Sequence, residues 1–134
     1  MTTEFELSMN GSSKNLLDSI AVLADHDINL DTVTTSKVDG HYVIKFVTGS
    51  EEEVRRTFIK ADLPFKERRV MILEVHNRPG QWVKAARILV DAGVKLESSY
   101  LLSQQGEKLR FVFAVDNLEM ARKVACQVTE CSID

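Results

Sequence analysis

The sequence is poor in cysteine, in long apolar stretches and in charge of one sign, and each shortage excludes a class of protein. Only two of its 134 residues are cysteines, which excludes the disulfide framework of a small secreted domain. Its longest apolar runs are five residues, whereas a membrane-spanning helix needs about 20. The 17 basic and 20 acidic residues leave a formal net charge of −3, so no basic surface is expected for nucleic acid or an anionic membrane.

The residue types that most often carry chemistry are also scattered. His26, His41 and His76 have no spacing typical of a metal site. Cys126 and Cys131 lack two further ligands, so we expect reduced thiols there. Because catalysis needs a nucleophile, a base or a metal held together, we expect no enzyme activity, no catalytic residues, no metal and no cofactor. The N-terminus lacks the basic start and apolar stretch of a secretory signal, so we expect a cytoplasmic protein.

What the sequence does contain is a hydrophobic pattern that occurs twice. A shift of 66 positions aligns Phe5 with Met71 and Leu7 with Leu73, and one extra residue past the hairpin glycine makes the later shift 67. Few aligned residues are identical, but the apolar spacing is kept, as in an internal repeat. We therefore predict two units. They are residues 1–68 and 69–134.

In the first copy, the spacing predicts strand, helix, strand, strand, helix and strand. Alternating apolar residues indicate strands with one buried face, and spacings of three and four indicate helices. Ser12 or Ser13 is expected to cap the first helix and Ser50 the second. The predicted strands are residues 4–9, 28–36, 41–48 and 64–68.

The second copy follows the same order. Gly93 suits the C-terminal end of its first helix, and Asp116 or Asn117 is expected to cap its second helix. Because the last strand of the first copy is so close to the first strand of the second, we expect the two to be almost continuous. The predicted strands are residues 70–75, 94–103, 109–115 and 127–133.

This order predicts an α+β fold with two tandem βαββαβ units of the ferredoxin-like type, each an antiparallel sheet with its helices on one face. Soluble monomers rarely expose a large apolar patch, so the apolar residues of the bare face should be covered by the other copy or by a second chain. We expect a homodimer. Alternation assigns to the bare face Val33, Val43, Val47, Ile72, Leu101, Val112 and Ala114.

The segment before the first helix of the second copy has the features of an anion site. Pro79 suits a helix start, because the missing N–H is not needed there, and Gly80 lets the backbone approach another group closely. The helix start then offers N–H donors and a partial positive charge to a carboxylate. Asn77 can hydrogen-bond an ammonium or the helix end. The alternative is that the segment is only a well-capped turn.

Two stretches of the second copy, LEVHNRPGQW at residues 73–82 and ILVDAGVKLE at residues 88–97, resemble the ACT domain family. Members of that family have an acidic residue, one spacer, Pro-Gly, an apolar helix and then Ala-Gly before an apolar-Asn-apolar strand start. In the first copy, LADHDINLD at residues 23–31 is similar to the latter half of that pattern. The resemblance covers nearly the whole chain, as two copies.

The resemblance implies a regulatory protein that binds an amino acid or similar small carboxylate where ACT-like units meet. It also implies a partner in amino-acid metabolism, either a regulated enzyme or a transcription factor. The strand–helix turn of one unit and the second strand of a paired unit would contribute Asn77, Arg78, Pro79, Gly80, Gln81, Trp82, Asn29, Leu30 and Asp31. The equivalent second pocket would use Ser98 and Ser99 with Asn10, Gly11, Ser12 and Ser13.

Three departures from the family pattern favour one site per chain. Asn77 stands where the family has Asp, which removes a charge that would pair with a ligand ammonium. The first copy has Ser13 and Lys14 at the Pro-Gly positions, and Lys95 replaces the usual Asn of the second copy.

Two other interpretations remain. The chain is either a protein–protein interaction adaptor or regulatory subunit without a ligand, or, more distantly, an RNA-binding module similar to an RNA-recognition domain. The RNA-binding interpretation rests on the shared βαββαβ order and on RFVFAV at residues 110–115. It needs exposed aromatic side chains, whereas Phe111 and Phe113 belong to the predicted buried set.

Overall fold

The structure, a computed structural model, describes residues 2–125 and 132–133. Within them it has an α+β fold. Its elements are, in order, β1 (Thr2–Asn10), α1 (Ser13–Asp25), β2 (Thr32–Val38), β3 (His41–Val47), α2 (Glu51–Lys60), β4 (Lys66–His76), α3 (Gln81–Asp91), β5 (Leu96–Gln105), β6 (Lys108–Val115), α4 (Leu118–Ala125) and β7 (Ser132–Ile133).

Backbone contacts divide the described residues into two compact units, Thr3–Arg68 and the part from Arg69 onward together with Thr2. The strand order is β2-β3-β1-β4 in the first unit, and in the second β4 lies between β6 and β7, with β5 beyond β6. The strand pairs of known register are antiparallel. The predicted near-continuity of residues 64–68 and 70–75 is confirmed, because β4 runs unbroken from Lys66 to His76. The interpretation of the chain as two tandem ACT-type units stays a prediction.

The core of the first unit lies between one sheet face and both of its helices. The register sets Phe5 opposite Phe46, and the two rings stack with centroids 5.5 Å apart. Phe58 of α2 meets Phe46 edge-on at 6.1 Å, while Leu23 of α1 belongs to the same cluster. Burial of each such side chain contributes roughly 1.5–3 kcal/mol. The first unit therefore packs its helices on the face that alternation predicts.

The second unit repeats this arrangement with other side chains. Leu73 of β4 lies opposite Phe111 of β6, and fully buried Phe113 belongs to the core cluster beside them. Ala86 of α3 and Ala121 of α4 are buried against the same cluster, and their small side chains let the helices approach the sheet closely. Both helices of this unit again pack on one face of its sheet.

Helix starts follow the predicted serine and asparagine caps in two of three cases. The Ser12 Oγ accepts the N–H of Asn15 at 3.3 Å, and the Asn117 Oδ1 accepts the N–H of Met120 at 3.0 Å. Ser50 lies at the N-cap of α2, but its side chain makes no capping bond. The prediction that the Ser50 side chain caps α2 is therefore wrong. The acidic first turn of α2, which includes Glu51, interacts favourably with the helix dipole instead.

The strands predicted at residues 28–36 and 94–103 begin later than expected, at Thr32 and Leu96. Ile28 and Val94 close the preceding helices instead, because their N–H groups donate to the carbonyls of Leu23 at 2.9 Å and Leu89 at 3.0 Å. These bonds match the Schellman pattern of helix ends. Both apolar residues are buried in the cores, so burial alone gives no sign that they lie outside a strand.

Two assignments to the bare face are wrong. Val33 lies opposite Phe46 and Leu101 lies opposite Phe111, and partners in a register share a face, so both point to the helix side. The reason in β5 is the register shift between Leu96 and Ser98, which reverses the simple alternation for Leu101. In β2 the residues are a mixture of Val, Thr and Ser, so apolar and polar positions do not alternate clearly. The pattern therefore does not show which face Val33 is on.

Four residues assigned to the bare face, Val47, Ile72, Val112 and Ala114, are at most 4% exposed in the single chain. The expectation that these apolar residues are covered is therefore met without a second chain.

Part of the C-terminal prediction lies outside the described residues. That part comprises Cys126, Cys131 and the first five positions of the strand predicted at residues 127–133. The described end of that strand, β7, pairs with Leu73 and Glu74 of β4. No helix in residues 2–125 has the length and apolar character needed to cross a membrane.

Candidate functional site

The candidate site is the corner between β4, which ends at His76, and α3, which begins at Gln81. Its four linking residues are all exposed. The Asn77 N–H donates to the carbonyl of Glu107 at 2.6 Å, and the Arg78 N–H donates to the carbonyl of His76 at 2.8 Å. The first bond joins the corner to the connection between β5 and β6, and the second closes a tight turn within the corner itself.

Gly80 opens the second half of the corner. Its φ of +82° and ψ of −6° are left-handed, a conformation that costs other residues roughly 1–2 kcal/mol. Gly80 is the N-cap of α3 and supplies no side-chain cap, and a Cβ placed on it would meet nothing within 4 Å. The first-turn N–H groups at Trp82 and Val83 therefore face an open corner that no capping side chain closes.

Trp82 forms a wall beside these donors. Its indole stacks on Phe113 with ring centroids 6.0 Å apart and an interplanar angle of 18°. The indole Nε1–H donates to the Oγ of Ser99 at 3.2 Å. The side chain remains 38% exposed, so it is held in place by the sheet and is still open to a ligand.

The corresponding turn of the first copy is closed by its own side chains. The Oγ of Ser12 occupies the α1 start as a cap, and the Ser13 Oγ donates to the Tyr42 Oη at 3.0 Å. A Cβ on Gly11 would lie 2.6 Å from the Asn15 side chain. Asn10 ends β1 just before this turn. The two helix starts therefore differ: α1 is capped, whereas α3 is not.

The residues expected to face the corner from a paired unit lie in the connection before β2. The carbonyl of Asn29 accepts the hydroxyl of Thr48 at 2.7 Å, and the Asp31 N–H donates to the carbonyl of Val47 at 2.9 Å. Leu30 packs partly buried against the core of its unit, while Asn29 and Asp31 are exposed. Their pairing with Asn77, Arg78, Pro79, Gly80, Gln81 and Trp82 stays a prediction.

The two adjacent serines of β5 do not act together. Ser99 lies opposite Phe113 on the helix side, beside Trp82, whereas Ser98 lies opposite Ala114 on the other face. The Ser98 Oγ is buried and has no hydrogen-bond partner within the described part of the chain. Only Ser99 is joined to the corner by a contact.

Sequence reasoning missed a charged cavity on the bare face of the first unit. It measures about 420 Å³ and is lined by Glu4, Glu6, Lys66, Glu67 and Arg68. The available signal was the pair of glutamates that alternate with Phe5 and Leu7 in β1. In residues 2–125 and 132–133, no group of three or more His, Cys, Asp or Glu side chains is placed to hold a metal ion.

The order and pairing of these elements define an ACT-like α+β fold, and comparison with solved structures supports it. The regulatory subunit of aspartate kinase from Thermus thermophilus, in a ligand-free form, matches with a TM-score of 0.65 and 12% identity over 96% of this chain and 93% of that one. The same subunit from Thermus flavus matches with a TM-score of 0.64 and 12% identity over 94% and 91%.

A further match is the protein BT0572 from Bacteroides thetaiotaomicron, with a TM-score of 0.87 and 16% identity over 100% of this chain and 92% of that one. No protein-family model and no curated protein matches the chain. At these identities the likeness shows the fold alone.

Proposed function

We propose that this protein is a regulatory sensor that binds an amino acid or similar small carboxylate at the Gly80 corner and modulates a partner. One observation carries the proposal: α3 starts at an exposed glycine without a side-chain cap, whereas α1 starts at a serine that caps it. A side-chain cap already satisfies one of the free N–H groups of a helix start, so a capped start gains less from a ligand. An open one gains N–H···O bonds and a favourable interaction with its dipole.

The ligand carboxylate accepts the N–H groups of the first turn of α3, with Trp82 as one wall. Its ammonium is bound by the side-chain oxygen of Asn77 and by Asn29 and Asp31 of a paired unit. The indole Nε1–H already donates to Ser99, so Trp82 contributes its ring face and edge rather than a further hydrogen bond. This is binding without chemical change.

A homodimer supplies the paired unit in this proposal. The support is the exposed apolar surface of the second unit, where Val83 is 49%, Val90 54% and Leu101 44% exposed. A groove of about 210 Å³ runs along α3 between Trp82 and Leu96. Burial of such a surface contributes about 25 cal/mol per Å², and coupling of ligand to partner through it is typically about 1–3 kcal/mol. The partner is an enzyme or a transcription factor of amino-acid metabolism.

The test is a thermal-shift screen of the parent chain with each of the twenty L-amino acids. A ligand at 100 times its dissociation constant stabilises the folded chain by about 2.7 kcal/mol. The screen is repeated on Gly80→Asp and Gly80→Asn, because Asp and Asn have nearly the same shape and both tolerate left-handed backbone. The two variants differ in one negative charge at the position where the carboxylate docks.

Two unit negative charges about 5 Å apart repel by about 1 kcal/mol in water and about 3 kcal/mol at an effective dielectric constant of 20. Gly80→Asp should therefore weaken binding by roughly 5- to 160-fold relative to Gly80→Asn. If both variants still bind an amino acid, and with equal affinity, no carboxylate docks at this corner.

The second candidate function is a protein–protein adaptor without a ligand. It is favoured by the same exposed residues of α3, Val83 and Val90, which suit contact with a protein whether or not a ligand is present. The screen separates the two functions. A response to at least one amino acid supports the sensor, and silence across all twenty supports the adaptor.

A further inference from the structure

A cavity of about 310 Å³ lies in the first unit where the end of α1 meets α2. Its volume falls within the roughly 300–1,000 Å³ usual for small-molecule pockets. The end of α1 and the chain that follows it contribute His26 and Ile28, and α2 contributes Glu53, Arg56, Thr57 and Lys60. This helix-end cavity shares no residue with the Gly80 corner or with the charged cavity of the bare face.

The four residues from α2 form one stripe along that helix. The last three follow Glu53 by three, four and seven positions, which places all four on one helix face. With a rise of about 1.5 Å per residue, Glu53 and Lys60 lie about 10 Å apart along the helix axis, with Arg56 between them. The stripe therefore has a negative end and a positive end.

Both cations of the stripe are open to a ligand. Lys60 is the last residue of α2, and it is exposed. The Arg56 guanidinium lies 3.6 Å from the Oε1 of Glu53, too far for a good hydrogen bond, and both side chains are more than half exposed. An ion pair of this kind contributes little, so Arg56 keeps its donors for a bound anion. Arginine binds phosphate bidentately, and lysine binds it as a point charge.

His26 has one ring nitrogen left for a ligand. Its Nδ1 lies 2.8 Å from the carbonyl oxygen of Val22, and because a carbonyl only accepts, Nδ1 is the nitrogen that carries the proton. In the neutral ring Nε2 is then an acceptor, as is the carboxylate of Glu53. The helix-end cavity therefore combines two cations with two acceptors of hydrogen bonds.

The second copy shows that the packing of the helix end does not require this polar lining. Val94 takes the place of Ile28 at a shift of 66, and both residues are buried with N–H groups that close the preceding helix. Three polar positions of the lining are apolar in the second copy, where Ala92, Met120 and Val124 replace His26, Glu53 and Thr57. The apolar floor belongs to the fold, whereas most of the polar lining is a feature of the first copy alone.

We propose that the helix-end cavity binds a small phosphorylated sugar, either free or as the sugar phosphate of a nucleotide. Arg56 and Lys60 bind the phosphate, whose charge of about −1.5 to −2 at pH 7 matches two cations better than a single carboxylate does. The Nε2 of His26 and the carboxylate of Glu53 accept hydroxyl groups of the sugar. The site and the ligand class both differ from those of the Gly80 corner, so the inference does not rest on the proposed function.

The experiment is isothermal titration calorimetry of the full chain at physiological ionic strength, where exposed charges are screened. The probes are ribose 5-phosphate, adenosine 5′-monophosphate, ribose and inorganic phosphate. We expect a sugar phosphate to bind at one molecule per chain and at least roughly tenfold more tightly than ribose or inorganic phosphate, because each of these lacks part of the contacts. Equal affinity for the first two probes identifies the sugar phosphate as the recognised group, and tighter binding of the nucleotide adds its base.

Variants at exposed positions locate the site. Arg56→Gln should weaken the binding of ribose 5-phosphate at least roughly tenfold, and Lys60→Gln should act in the same direction. The matched control is Lys123→Gln, which removes an exposed cation at the equivalent position of α4 and should change the affinity less than about twofold. His26→Ala removes one neutral acceptor and should weaken binding by roughly 2- to 12-fold. Circular dichroism of each variant should match that of the parent.

The inference is overturned if neither sugar phosphate binds, if inorganic phosphate binds as tightly as they do, or if Arg56→Gln binds them as tightly as Lys123→Gln does. An unchanged affinity in His26→Ala would contradict the hydroxyl contact. Failure of the proposed function looks different, because it is measured with amino acids. Silence from all twenty amino acids would leave the results with sugar phosphates as they are.

Discussion

Ser98 and Ser99 offer a matched pair of substitutions, because they are neighbours in β5 that face opposite sides of the sheet. Ser99→Ala removes the acceptor of the Trp82 indole, which donates to it at 3.2 Å. A neutral hydrogen bond contributes about 0.5–1.5 kcal/mol. Since Trp82 is 38% exposed, water replaces part of the lost bond. We expect a loss of about 0.5–1 kcal/mol.

Ser98→Ala should have the opposite or no effect. The Ser98 Oγ is buried without a partner in the described residues, and removal of a buried unsatisfied hydroxyl is neutral or stabilising. Trp82 is the only tryptophan of the chain, so its fluorescence reports on the corner alone. Ser99→Ala should change that emission, and Ser98→Ala should leave it as in the parent.

Thermal unfolding followed by circular dichroism measures both variants. For units of about this size, 1 kcal/mol corresponds to roughly 4–8 °C, so Ser99→Ala should lower the melting temperature by roughly 2–8 °C. The reasoning is refuted if Ser98→Ala lowers the melting temperature more than Ser99→Ala does, or if the Trp82 emission responds to neither.

Substitutions at three further positions test the fold, each by urea unfolding. Ser12→Ala removes the cap bond to Asn15 and should cost roughly 0.5–2 kcal/mol, whereas Ser12→Gly should cost only a few tenths; equal losses would contradict the cap. Gly80→Ala, at a φ of +82° with open space around the new Cβ, should cost roughly 1–2 kcal/mol from backbone strain alone, and no loss would rule out that conformation. Phe46→Ala empties a fully buried position and should cost roughly 3–5 kcal/mol; a loss below 1 kcal/mol would mean that the ring is not in the core.

The order of the helices and strands could be predicted from the spacing of apolar residues, because the residues at those spacings form the two cores. Phe5 and Leu7 in one unit and Leu73 in the other lie where alternation predicts them. Helix spacing likewise identifies Leu23 and Leu89 as buried. The burial of such residues follows from the periodicity of their own helix or strand, which a single sequence is enough to show.

The residue at which a strand begins, and the face on which an edge-strand residue lies, depend on helix-end hydrogen bonds and on register shifts. Hydrophobic periodicity shows neither. Ile28 and Val94 are as apolar as strand residues, but the left-handed residues before them, Asp27 and Gly93, turn their N–H groups back to the helices. β5 changes its register twice. The first shift, between Leu96 and Ser98, reverses the faces of the residues that follow it, so the face of Leu101 cannot be found by counting along the strand.

The corner could be predicted in part because its residue types are specific. Pro79 and Gly80 mark a helix start that is open to an anion, and the structure leaves that start without a side-chain cap. The stacking of Trp82 on Phe113 could not be foreseen, since it joins residues that are 31 positions apart in the chain. The charged cavity combines β1 with β4 in the same way.

The most direct test of the central claim is NMR mapping of backbone amides in the ¹⁵N-labelled parent chain while each of the twenty L-amino acids is added. The account predicts that at least one amino acid produces its largest shifts at the amides of Trp82 and Val83, while the amides of Asn15 and Leu16 at the capped start of α1 move little. Saturating binding that leaves Trp82 and Val83 unmoved, or no binding by any amino acid, would contradict it.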